Sequence, residues 1–84
     1  KRKDILLQSG NVVAKGDEFV FVAQNLVGSV RLKLFDSKGN VVYDVVEKER
    51  HLVATLQLSQ GVYFYMGTDE DGYRKVGKLL VKSN

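Results

Sequence analysis

"GVYFYMGTDEDGYRKVGKLLVK" (Gly61–Lys82) reads as two extended runs joined by an acidic turn. In the first run Val62, Phe64 and Met66 fall on one side, and Tyr63 and Tyr65 fall on the other. In the second, Leu79 and Val81 share one side, and Lys78, Leu80 and Lys82 share the opposite one. A repeat of two residues is the signature of a strand, whose side chains alternate between faces. Between the runs, "DEDG" (Asp69–Gly72) supplies the Asp and Gly that a tight reversal needs. The stretch is therefore a hairpin, and its second strand carries Arg74, Lys75, Lys78 and Lys82.

The same period extends upstream. "SVRLKLFD" sets Val30, Leu32 and Leu34 against Arg31 and Lys33, "EFVFVA" puts Phe19, Phe21 and Ala23 together, and "HLVATLQL" aligns Leu52, Ala54, Leu56 and Leu58. Strands are predicted near residues 5–8, 11–15, 18–23, 29–36, 41–47, 51–58, 62–67 and 73–82. "DSKGN" (Asp36–Asn40), "SQG" (Ser59–Gly61) and "SGN" (Ser9–Asn11) punctuate them, and proline is absent, so Gly39, Gly61 and Gly72 are the expected turn glycines. Nothing keeps a helical period. Seven or eight short strands at this spacing predict an all-β chain, an antiparallel immunoglobulin-like β-sandwich. Its expected core is Phe19, Phe21, Val30, Leu32, Leu34, Leu56, Leu58, Val62 and Phe64.

Composition narrows the functions available. With 84 residues the chain is long enough for one small domain, spanning 1–84, and its 44% hydrophobic and 27% charged content suits a folded chain. It opens on Lys1 and not on Met, which points to a piece of a longer protein. No apolar run approaches the roughly 20 residues that span a bilayer as a helix. The lack of cysteine excludes disulfides, thiolate catalysis and cysteine-held zinc. A net charge of +3, from 13 basic and 10 acidic residues spread along the chain, favours solubility and does not mark a nucleic-acid partner.

Catalytic and metal chemistry find little footing. His51 is the sole histidine, and it follows "EKER", where a solvated side chain is expected. No Ser occupies a Gly-x-Ser-x-Gly elbow. The three carboxylates of "DEDG" lack the spaced oxygens and closing Glu of a calcium loop, so a hairpin turn is the simpler reading. "KRK" (Lys1–Lys3) reads as linker, and Tyr63, Tyr65 and Tyr73 are candidates for stacking on sugars. No catalytic residue, cofactor, metal or small-molecule substrate is expected.

"VRLKLFDSKGNVVYD" (Val30–Asp44), "LSQGVYFYM" (Leu58–Met66) and "YRKVGKLLVK" (Tyr73–Lys82) follow one another as a strand, a D-x-x-G hairpin, a Gly-Val-Tyr run and a lysine-bearing last strand. In that order, over about residues 18–82, they resemble the C-terminal sorting domain of the type IX secretion system. "LLQSGNVVAKGDEF" (Leu6–Phe19) departs from the Pro-Asn-Pro-like opening of that family, which leaves the start within residues 1–17 unmarked. The resemblance implies a non-catalytic export and sorting signal for a larger cargo protein. It implies as partners an outer-membrane translocon, a barrel-type shuttle and a surface sortase. It also implies passage through the periplasm to the outer-membrane surface or the medium. Lys78, Leu80 and Lys82 would form the recognition stripe. The competing reading is an immunoglobulin-like adhesion or carbohydrate-binding module of a secreted protein.

Overall fold

The computed structural model describes residues 2–8, 10–55 and 57–83. Among these residues eight strands form two sheets: β1 (Asp4–Leu7), β2 (Val12–Ala14), β3 (Glu18–Gln24), β4 (Val30–Phe35), β5 (Val41–Glu47), β6 (His51–Thr55), β7 (Gly61–Thr68) and β8 (Arg74–Lys82). One sheet runs β1-β3-β6 and the other β2-β8-β7-β4-β5, and no helix is present among the described residues. The order β8-β7-β4-β5 is the G-F-C-C′ half of an immunoglobulin-like sandwich, and β1-β3-β6 is its A-B-E half. The chain is therefore the all-β sandwich that its alternating pattern predicts.

Five of six strand pairings are antiparallel, and the sixth, β2 with β8, is parallel. This departure has a local cause. After β1 the chain turns at Gly10, whose φ is 83°, and crosses from the first sheet to the edge of the second. It then runs beside the last strand, held by the Leu80 amide on the Asn11 carbonyl and the Lys15 amide on the Lys82 carbonyl, each at 2.8 Å.

The core lies between the sheets. Ile5, Phe19, Phe21, Ala23 and Leu52 come from the first sheet, while Val13, Val30, Leu32, Leu34, Tyr63, Tyr65, Leu79 and Val81 come from the second. Covering one such large side chain is worth about 1.5–3 kcal/mol. Two glycines make room for them: a Cβ on Gly67 would collide with Ile5 Cδ1, and a Cβ on Gly77 would enter the Tyr65 ring. Tyr65 in turn meets Phe21 edge-on, with ring centroids 5.2 Å apart, linking the two sheets.

The expected core needs correction at β7. Phe19, Phe21, Val30, Leu32 and Leu34 are buried, and Leu58 packs against the core, while Leu56 lies outside the described residues. Val62 and Phe64 instead face outward, and Tyr63 and Tyr65 turn in, at 7% and 5% exposure. Both faces of this strand are apolar, so alternation gives the period without the phase. Two contacts set the phase. The Tyr63 hydroxyl reaches the Ser59 carbonyl at 2.7 Å, which satisfies its polar tip, and Tyr65 fills the space above Gly77. A tyrosine at the start of this strand, bonded to backbone just upstream, is the tyrosine corner of such sandwiches.

Candidate functional site

One end of the sandwich is bound together by Asp69, in the β7–β8 turn. Its Oδ2 accepts from the Val27 amide and Lys3 Nζ, and its Oδ1 accepts from the amides of Asp71 and Tyr73, all at 2.9 Å. The Asp69 side chain has no solvent exposure. Burial opposes its ionisation, but the donated N–H groups and the Lys3 ammonium outweigh that and hold the carboxyl far below the usual carboxylate range. Glu70 Oε2 accepts from the Ser29 amide at 2.6 Å, and Arg50 donates to the Gly28 carbonyl at 2.9 Å. These contacts join the β3–β4, β5–β6 and β7–β8 connections and the start of β1. The acidic turn is thus a structural staple, and Lys3, expected within a linker, belongs to it.

No group of three His, Cys, Asp or Glu side chains among the described residues is placed to hold a metal ion. His51 is exposed at the start of β6. Tyr63 and Tyr65 are in the core and Tyr73 is half-buried against it, so the tyrosines expected to stack on sugars do not form an exposed platform.

Lys78, Leu80 and Lys82 occupy the outer face of β8, because Leu79 and Val81 are packed inward. Cross-strand register brings further apolar residues beside them. Leu80 stands between Val12 on β2 and Val62 on β7, and Lys78 stands beside Phe64, which faces Phe35 on β4. The row continues to Val41 on β5, since a bulge lets Val41 and Val42 both oppose Phe35. Leu80 is 42% exposed and Phe64 38%. Asn11, Val12, Val62, Lys78 and Leu80 line a shallow groove of about 370 Å³. A contiguous apolar band on one face differs from scattered surface leucines, and such bands mark interaction sites. Lysines at its margin give it a positive rim. Arg31 and Asp44 beyond it neutralise each other through a bidentate pair at 3.0 and 2.8 Å.

Alternation identifies the stripe on β8. Val12, Phe64 and Phe35 are beyond its reach, because their grouping depends on the parallel β2–β8 register and on the phase of β7. Lys75, on the inward side of β8, plays another part: its ammonium crosses to Asp4 Oδ1 at 2.7 Å and the Ile5 carbonyl at 2.8 Å, tying the sheets together.

No family model matches this chain, and no curated protein matches it. Among solved structures, the crystal structure of CopC from Methylosinus trichosporium OB3b is similar, with a TM-score of 0.67 and 19% identity over 99% of this chain and 96% of that one. At that identity the likeness is one of fold. It overturns the export-signal reading, since the fold that matches over almost the whole chain is that of CopC and not of a sorting tail. The expected display at the outer-membrane surface or in the medium rested on that reading and goes with it. The motifs behind the resemblance have structural explanations here. Asp36 Oδ1 accepts the Lys38 and Asn40 amides, Gly39 takes a φ of 90° in the same hairpin, and Gly61-Val62-Tyr63 leads into the tyrosine corner. Gly72 has a φ of 84° in the Asp69 turn, and Gly61 opens β7 at 157°. Any sandwich with these hairpins needs such residues, whatever it does. What remains of the placement is that no helix among the described residues is long and apolar enough to cross a membrane.

Proposed function

We propose that this chain is a non-catalytic binding module and that it binds through the outer face of its five-stranded sheet. The observation that carries this reading is the contiguous row Val12, Leu80, Val62, Phe64 and Phe35, flanked by Lys78 and Lys82. An apolar centre with a cationic rim suits a polypeptide segment that carries apolar side chains among Asp or Glu. Apolar contact supplies the affinity, and the rim steers and orients the segment. The groove beside Leu80 accommodates one apolar side chain as an anchor.

Selection from a random peptide library displayed on phage tests this. The expected outcome is enrichment of acidic sequences with spaced Leu, Ile or Phe, whose binding falls at least tenfold on Leu80→Glu while the circular dichroism spectrum is unchanged. Failure to enrich such peptides, or equal binding by Leu80→Glu, would overturn it.

A further inference from the structure

The second sheet has a free edge at β5, "VVYDVVE" (Val41–Glu47), seven residues long. The other edge strands are shorter, at three residues for β2, four for β1 and five for β6. Exposed edges are usually guarded by Lys, Pro or brevity. β5 has no Lys, Pro or Gly, carries four valines and a tyrosine, and is bulged only at its first residues.

Its sequence is also nearly the same in both directions about Asp44: Val42 corresponds to Val46, and Tyr43 to Val45. An antiparallel strand added across a two-fold axis meets its own sequence reversed. We propose that β5 pairs with β5 of a second copy of this chain, centred on Asp44, joining two five-stranded sheets into one of ten strands. Val42 then stands against Val46 of the second copy on the outer face, and Tyr43 against its Val45 on the inner face. Shifting the centre to Val45 would set Asp44 against Val46 and Tyr43 against Glu47. Shifting it to Tyr43 would set Asp44 against Val42. Centring on Asp44 matches apolar with apolar on both faces next to the axis and leaves its one mismatch, Val41 against Glu47, at the bulged end of the strand. The two Asp44 side chains that meet at the axis are each already held by their own Arg31, which reduces their repulsion. Backbone hydrogen bonds and cross-strand pairs are the only contacts this geometry offers. The interface is therefore smaller than the roughly 1,200 Å² of stable complexes, and the dimer is a weak one formed at high protein concentration. This pairing is independent of the binding face on β8 and β7.

Sedimentation equilibrium of the natural chain up to about 1 mM tests the association. Val46→Lys should weaken it at least tenfold; the residue is 59% exposed, and an unchanged circular dichroism spectrum checks that the fold tolerates a lysine opposite Arg31. The register has its own test, because the chain contains no cysteine. Asp44→Cys places two thiols directly opposite, within the 4.4–6.8 Å Cα separation of a disulfide. Val46→Cys places its two thiols about four residues apart along the strands, on the order of 13 Å. Oxidative dimerisation of Asp44→Cys should be at least tenfold faster than that of Val46→Cys. A natural chain that stays monomeric throughout, or equal rates for the two cysteine variants, overturns the proposal.

Discussion

The Tyr63 hydroxyl donates to the Ser59 carbonyl at 2.7 Å, and with that bond the start of β7 commits its tyrosines to the core and its phenylalanine to the surface. The outward apolar row depends on this choice. Were the phase reversed, Val62 and Phe64 would be buried and tyrosines would stand in their place on the outer face.

Tyr63→Phe keeps the ring and removes the bond, leaving the Ser59 carbonyl without this donor. The expected loss is about 0.5–1.5 kcal/mol. In a domain of this size each kcal/mol corresponds to roughly 4–8 °C in Tm. Calorimetry should show a drop of that order with an unchanged far-ultraviolet spectrum; an unchanged Tm would mean that the Tyr63–Ser59 bond contributes nothing to stability.

Gly77→Ala should be destabilising because the new methyl enters the space of the Tyr65 ring. Overpacking of this kind costs about 1–3 kcal/mol. Since the clash is with one side chain, Tyr65→Leu should cost less in the Gly77→Ala background than in the natural chain. Additive losses in urea unfolding would show that the two sites do not meet.

Asp69 makes the stability acid-sensitive. Its carboxyl, like those of Asp4, Asp36, Asp44 and Glu70, is held below its usual range in the folded chain. On acidification the unfolded chain therefore takes up protons first. The stabilisation is present above the unfolded carboxylate pKa of about 4 and is lost as pH falls below it toward the depressed folded values. Asp69→Asn should lower Tm clearly at pH 7, and the gap from the natural chain should narrow steadily below about pH 4. A gap that does not change with pH would mean that the charge on Asp69 contributes nothing.

Changing both Lys78 and Lys82 to Gln should leave Tm within about 2 °C, because solvated charges contribute little to stability. Both are exposed, and neither has an ion-pair partner among the described residues. The same variant should lose affinity for acidic peptides and regain relative affinity for neutral ones. Thermal melts and binding isotherms on one preparation separate the two effects.

Many strand positions were legible because a period of two survives in β3, β4 and β8, from Phe19-Phe21 to Leu79-Val81. The orientation of β8 was legible too, since lysines mark its solvent side. β7 offered no such contrast, because valine, phenylalanine and tyrosine all tolerate burial, and its faces are decided by the bond to Ser59 and the space for Tyr65 above Gly77. The burial of Asp69 was hidden for a related reason. Its partners lie far away along the chain, with Lys3 separated by 66 residues and Val27 by 42. The motifs that pointed to an export signal were real features of the sequence, but Asp36, Gly39 and Tyr63 answer to the needs of hairpins and a corner. They report architecture and leave function to the side chains that face outward.

Amide shift mapping by heteronuclear NMR, with the tightest acidic peptide titrated into labelled protein, tests the binding face most directly. Shifts should concentrate at Val12, Val62, Phe64, Lys78 and Leu80, with the stapled end around Val27, Glu70 and Asp71 unmoved. Shifts concentrated at that end, or on the outer face of β1, β3 and β6, would contradict it.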